Sequence, residues 1–361
     1  MKRWTVIPLI VLASLLLSAC TGAASSSTWP GLTADKDRVY LADGPFVYAV
    51  RLADGVKAWQ YPPDKAGTST FYSNPVLTPD GQLLVGSSGH DYGLYSLDPA
   101  SGNPKWAAPF TATDHWVAPP LVVGDTIYAP NNNGSLYALK LATGQLLWSA
   151  PTTSGESLWG SPTTDGKLIF VSSLDHFVYA VDPQARKVVW KRDLGGSAPA
   201  SPLLASDSTS VYVGSFASKL YALDAATGAV QWTAPLKDWV WNAPALVDKT
   251  IYTADTSGNV YSLDAPTGKN TWPEVKPDGA ITASPVALSN GVAVATETGS
   301  LYGYKPDGSA LWPPVTIGGK IYTTPVVVDD RIIVAPMGAQ YLLYAVNAKD
   351  GSLLPWHFSN K

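Results

Sequence analysis

The sequence predicts an all-β protein, an eight-bladed β-propeller of four-stranded antiparallel blades. Three markers, each present eight times, carry that expectation. A Tyr recurs at Tyr48, Tyr95, Tyr137, Tyr179, Tyr221, Tyr261, Tyr302 and Tyr344, in steps of 40 to 47 residues. A Trp follows ten to twelve residues after each, at Trp59, Trp106, Trp148, Trp190, Trp232, Trp272, Trp312 and Trp356. A Pro precedes each Tyr, at Pro30, Pro75, Pro120, Pro162, Pro202, Pro244, Pro285 and Pro325. A period of this length marks a propeller or a solenoid. A solenoid needs polar caps at its two ends. No capping segment flanks these repeats, so a closed ring is expected.

Each copy reads as four short strands. The first follows the Pro, as in Pro244-Ala245-Leu246-Val247, where a strand-opening Pro costs no ladder donor. The second is rich in β-branched residues, as in Ile251-Tyr252-Thr253-Ala254. The third is of the Leu220-Tyr221-Ala222-Leu223 type, an apolar run without strict alternation, which predicts blades buried on both faces. The fourth leads into the Trp, as in Ala229-Val230-Gln231-Trp232. The gaps are hairpin-length and filled by Gly, Asn, Asp and Ser. No segment shows a long 3.6-residue apolar period with caps, so almost no helix is expected. The blades should be continuous in sequence, with a short pairing of the N-terminal segment closing the ring.

Composition agrees. The chain is 46% hydrophobic and 14% charged, enough to bury a large core and too apolar for disorder. Fourteen Trp and eighteen Tyr exceed what one core needs and point to one aromatic position reused many times. The eight repeat tryptophans are expected on the outer strands, docking each blade against its neighbour.

Asp224, three residues after a repeat Tyr, invites a catalytic reading. Asp98, Asp182 and Asp264 share its position, but Arg51, Lys140, Lys305 and Asn347 occupy it in the other copies. A position that swaps charge carries no shared chemistry. A turn role tolerates the swap: the carboxylate accepts turn N–H groups and Gly228 takes positive φ. The fourth copy has Ala185-Arg186 in place of the glycine region, and a different turn is expected there.

The N-terminus has its own signature. Lys2 and Arg3 precede an apolar run, Val6 to Leu17, too short to span a bilayer comfortably and flanked like a secretory signal. It ends in Leu17-Ser18-Ala19-Cys20, and Cys20 is the chain's one cysteine. That ending resembles a bacterial lipobox, which implies cleavage after residue 19 and a lipidated Cys20. Residues 20–29 read as lipid site and flexible tether, and 30–361 as a single propeller. Thr21 in place of Asp after the cysteine resembles the pattern of outer-membrane sorting. Export with an anchor on the periplasmic side of an outer membrane, or on the outer face of the cell membrane, is therefore expected. Without Lys2 and Arg3 the chain has 22 basic and 28 acidic residues and no basic stripe, which argues against nucleic acid as a partner.

The segment Tyr-Ala-Leu-Asp-Ala-Ala-Thr-Gly-x-x-x-Trp, residues 221–232, resembles the PQQ-type propeller repeat, and the resemblance covers essentially the whole chain after the tether. That family includes quinoprotein dehydrogenases and BamB-like outer-membrane assembly lipoproteins. A dehydrogenase of this kind implies the quinone PQQ with calcium, an Asp base and a vicinal disulfide; one cysteine cannot make that disulfide. His90, His115, His176 and His357 show no ligand spacing, so no metal is expected. The organisation is closest to the assembly lipoproteins. The expected function is a non-catalytic, monomeric scaffold with no cofactor, binding envelope proteins or an extracellular peptide or glycan. The alternatives are a PQQ-dependent enzyme and a surface carbohydrate- or matrix-binding lipoprotein.

One feature lies outside the repeat's structural needs. Three residues before the repeat Pro stand Tyr72, Trp159, Trp241 and Tyr322, with Trp116 one residue further away and Trp239 nearby. This position enters the innermost strand, so these side chains should gather near the axis on one face. They form either a ligand-binding aromatic funnel or a plug. The turns Asn131-Asn132-Asn133-Gly134 and Ser88-Gly89-His90-Asp91 are a second candidate surface.

Overall fold

The computed structural model describes residues 29–64, 67–153 and 155–360. The expected signal peptide 1–19, Cys20 and the tether through residue 28 lie outside the described residues. The described chain forms eight antiparallel sheets, each made of consecutive strands in chain order, which is an eight-bladed β-propeller. The blades span Gly31–Tyr61, Val76–Thr111, Leu121–Pro151, Thr163–Asp193, Leu203–Pro235, Ala245–Asp264, Val286–Thr316 and Val326–Phe358. Seven have four strands. Blade 6 has three, and two isolated bridges, Val260–Val275 and Leu263–Asn270, continue its outer edge. Among the described residues there is no helix.

The strand chemistry explains the layering. The second and third strands are buried on both faces, as in Ser210–Ser215 and Leu220–Leu223 of blade 5. The outer strands alternate, as Lys187–Asp193 does in blade 4, because only one of their faces meets a neighbour. The core is therefore a set of seams between blades. The seam of blades 8 and 1 packs Leu32, Val39, Tyr48 and Val50 against Ile333, Leu343, Trp356 and Phe358.

The repeat Trp reaches across these seams. Its indole N–H donates to a carbonyl one blade on: Trp59 to Pro99, Trp106 to Leu141, Trp190 to Ala225, Trp232 to Ala265 and Trp312 to Ala348, at 2.9–3.3 Å. Each acceptor directly follows the Asp-equivalent position of the receiving turn. The ring lies flat on that turn. At Gly228 and Gly268, with φ of 67° and 68°, an added Cβ would stand 2.5 Å from a ring carbon of Trp190 or Trp232. Glycine is required there twice over, for backbone conformation and for space. Directly across the ladder from Trp59, Trp148, Trp190 and Trp232 stand Ala49, Ala138, Ala180 and Ala222, and the register shifts by a bulge at that alanine.

Three expectations change in detail. Trp106 and Trp272 do not sit in regular outer strands; both lie in bends, beside Pro104 and Pro273, which supply no ladder N–H. Blade 4 keeps the left-handed turn residue, with Arg186 at φ 55°, so the turn differs in residue type and not in conformation. Among the described residues no N-terminal strand pairs with blade 8. Closure comes from side chains instead: Trp356 Nε1 donates to Arg51 O at 3.2 Å, Thr323 Oγ1 donates to Pro30 O, and an Arg331 guanidinium nitrogen donates to Leu52 O.

Candidate functional site

Strand direction alternates within a blade. The connections between blades and the turns between second and third strands therefore share one face of the ring. The approach to each repeat Pro lies on that face, and the first strands of neighbouring blades lie side by side around the axis. The axis is ringed by short polar groups just before the prolines. Ser201 Oγ accepts from Ser161 N–H at 2.8 Å, Ser284 Oγ from Ala243 N–H at 3.0 Å, and Thr324 Oγ1 from Ser284 N–H at 3.0 Å. These bonds replace a sheet ladder where inner strands diverge too much to pair.

Above this ring sits a central chamber of about 230 Å³. Tyr72, Trp159, Trp241 and Tyr322 all line it, and Val117, Pro199 and Thr282 line it from the same position in three further copies. The rings also contact one another. Trp241 lies 6.3 Å from Trp159, and Trp29 is stacked on Tyr322 at 5.5 Å and edge-on to Trp241 at 5.6 Å. Trp159 is fixed by donating to Asn132 Oδ1 at 2.9 Å. The aromatics thus pack together and still leave a chamber open.

Trp116 lies elsewhere. Its ring is fully buried between blades 2 and 3 against Phe110 and Tyr137, with its N–H donating to Tyr92 O at 2.8 Å. One extra residue before Pro120 turns that side chain into the seam. Trp239 is 51% exposed, stacked on Phe216 at 4.9 Å, and lines a second chamber of about 450 Å³. Trp29, Trp241 and Tyr322 are shared by both chambers. Trp29 and Phe216 are site residues that the proline spacing does not reach. The signal for Trp29 is an aromatic at the end of an otherwise small, polar tether; Phe216 carries none, because the same turn position holds the large apolar Leu174 and Met337 in two other copies.

The turns around the chambers are tied down. Asn131 Nδ2 donates to Asp114 O and His115 O, and Asp91 accepts from Ser69, Ser87 and Tyr95. The repeat tyrosines serve the same purpose: Tyr179 donates to Asp175 and Tyr261 to Asp255. Burial first, and then the adjoining carboxylate, pushes the Tyr95, Tyr179 and Tyr261 phenols well above the ordinary range. The Asp224 carboxylate accepts from the Thr227 N–H and hydroxyl within its own turn. Among the described residues, no three His, Cys, Asp or Glu side chains converge as a metal-holding group.

Comparison with known proteins gives the following. The family model described as outer membrane protein assembly factor BamB matches residues 17–176, 174–313 and 257–361. BamB from Moraxella catarrhalis superposes with a TM-score of 0.69 at 20% identity, covering 89% of this chain and 92% of that one. The computationally designed Ika8 protein superposes with a TM-score of 0.71 at 14% identity, covering 92% and 98%. A search of curated proteins found no match. At these identities the two structures share the fold with this chain, and the fold alone.

Proposed function

The chain belongs to the family of the outer membrane protein assembly factor BamB, and from that membership we propose that it is an exported, lipid-anchored, non-catalytic scaffold for protein assembly in the cell envelope. The observation that carries this reading is the family match, which runs from residue 17 to residue 361 and so takes in the whole ring. The lipobox-like Leu17-Ser18-Ala19-Cys20 supports the anchor. Several acyl chains on Cys20 hold a protein at a bilayer far better than one chain does.

The ring's geometry supports an orientation. Trp29 lines both chambers of the aromatic face, so the tether joins the ring there. Eight residues lie between Cys20 and Trp29, and the nine steps reach roughly 30 Å at full extension. A lipid on Cys20 therefore keeps the aromatic face close to the bilayer, where membrane-embedded partners are assembled.

Crosslinking in native membranes followed by capture of the tagged protein tests the scaffold. Recovery of outer-membrane barrel-assembly proteins is the expected result. A single-membrane host, or capture that returns none of those proteins, removes the reading. For the anchor, Cys20→Ser should move the protein from the membrane fraction to the soluble one. Dye reduction on adding PQQ and calcium to purified protein would replace the scaffold with the enzyme.

A further inference from the structure

The second chamber has walls of a distinctive kind. Trp29, Trp239, Trp241 and Tyr322 supply aromatic surface, Asp238 and Glu297 supply carboxylates, and among the described residues no basic side chain lines it. Trp239 is half exposed yet held in place, because Phe216 lies parallel beneath it at 17° between ring planes. Phe216 also packs on Trp241 at 5.2 Å, so the two indoles share one rigid support.

The carboxylates are set for a charge. The Ser257 hydroxyl and the Trp239 N–H, at 2.6 and 2.8 Å, hold the Asp238 carboxyl below the usual range, so it is ionised at neutral pH. Neither Asp238 nor Glu297 belongs to any of the four ion pairs among the described residues. The Glu297 carboxylate accepts no hydrogen bond there, although its backbone N–H is fixed on Ala280 O at 2.9 Å. Thr282 Oγ1, where the two chambers meet, is buried without a hydrogen-bond partner.

Aromatic faces attract cations through the ring quadrupole, and the attraction grows as the site loses water. Carboxylates add to it, and they favour a cation that carries N–H donors over one that carries none. A guanidinium meets both demands: it stacks flat on an indole and donates in-plane to carboxylates. We propose that this chamber is an arginine-binding cage, formed by Trp29, Trp239, Trp241 and Tyr322 with Asp238 and Glu297, that receives an arginine side chain presented by a protein partner. This rests on the scaffold reading for the partner's being a protein; the cation site itself rests on the walls alone. Glu297 and Asp238 accept the guanidinium N–H groups, and Trp239 supplies the stacking face.

The test is calorimetric titration of the purified protein with the capped peptide acetyl-Gly-Arg-Gly-amide. The same peptide with citrulline, which keeps the shape and loses the charge, is the key control. Arginine should bind at least about tenfold more tightly than citrulline, the scale of a hydrogen bond to a charged group. Glu297→Gln should weaken arginine binding by about tenfold on the same grounds. Trp239→Ala should weaken it several-fold to about tenfold, as expected for one cation–π face. Trp239 is exposed, so that variant should keep the wild-type circular dichroism and urea midpoint; Glu297→Gln serves if it does not. Equal affinity for arginine and citrulline, no arginine binding, or an unchanged affinity in Glu297→Gln overturns the proposal. Choline binding as tightly as arginine also overturns it, because choline has no N–H to donate. The native-membrane capture separates this from the scaffold reading. Assembly proteins captured alike by wild type and Glu297→Gln, with no arginine binding, sink the cage and leave the scaffold. Arginine binding without any captured envelope protein does the reverse.

Discussion

Gly228→Ala tests whether the docked tryptophans hold the ring together. Two costs separate cleanly at this position. The first is conformational: Gly228 has φ 67°, and a left-handed alanine costs about 1–2 kcal/mol. The second is steric: the new Cβ would meet Trp190 Cε3 at 2.5 Å and Cδ2 at 2.7 Å. The ring must move, which costs about 1–3 kcal/mol as overpacking. Moving it also weakens the 3.0 Å bond from Trp190 Nε1 to Ala225 O, worth about 1 kcal/mol. Gly124→Ala isolates the first cost, since Gly124 has φ 59° and nothing lies within 4 Å of an added Cβ. In each variant the smaller unfolded-state entropy of alanine returns about 0.4–1 kcal/mol. Gly124→Ala should therefore lose about 1 kcal/mol, and Gly228→Ala about 2 kcal/mol more than that. The assay is urea unfolding followed by circular dichroism, comparing midpoints at equal slope. The decisive arm repeats both glycine substitutions in a Trp190→Ala background, where the excess should vanish. Equal losses in the two single variants, or an excess that survives without Trp190, would refute the docking argument.

Three further outcomes follow from the same geometry. Trp116→Ala should cost about 3–5 kcal/mol of stability, whereas exposed Trp239→Ala should cost under about 1 kcal/mol, both read as urea midpoints. At alkaline pH the Tyr95, Tyr179 and Tyr261 phenols stay protonated in the fold while those of the unfolded chain ionise near pH 10. Their stabilising contribution is complete below that pH and is lost as pH rises above it, so a 295 nm titration should show these phenolates appearing only together with unfolding. At acid pH the sign reverses: burial opposes ionisation of Asp278, but hydrogen bonds from Thr298, Ser300 and Thr296 outweigh it and hold its pKa below the usual range. That stability is present above about pH 4 and lost as pH falls through the folded value. Asp278→Asn should flatten the fall in Tm between pH 5 and 2, and an unchanged slope would count against the assignment.

The ring was legible because every blade must solve the same packing problem. A wedge is needed at each of eight seams, so the indole, its receiving turn and the strand-opening Pro recur in register. What stayed hidden depends on neighbours in space. Trp106 and Trp272 keep the marker spacing, yet the strand around each dissolves into bends where Pro104 and Pro273 withhold an N–H. Pro313-Pro314 does not have that effect in blade 7, where the outer strand Ala310–Thr316 persists with two register shifts. The difference lies in pairing, which spacing does not encode. Ring closure was hidden for a similar reason: the contacts of Arg331, Thr323 and Trp356 with the first blade join residues about 280 to 305 apart in sequence.

The aromatic face shows where a repeat gives way to a site. Counting back from the repeat Pro finds Tyr72, Trp159, Trp241 and Tyr322, because one backbone path delivers that position to the axis in each copy. One residue further from the Pro sends Trp116 into a seam, and two residues further brings Trp239 out to solvent. Symmetry alone would make a plug of equal rings. The second chamber departs from it, and it does so at one place, where the tether's last residue, a turn phenylalanine and two carboxylates from different blades converge. None of Trp29, Phe216 and Glu297 has a counterpart of its own kind in another copy, and Asp238 has one, Asp114, six residues before Pro120, so none serves the packing that every blade needs. Residues that a fold does not require, gathered on one face of a rigid scaffold, are free to serve recognition. The cage takes its chemistry from Trp29, Trp239, Asp238 and Glu297, with Phe216 as support beneath Trp239, and the repeat position contributes the walls Trp241 and Tyr322.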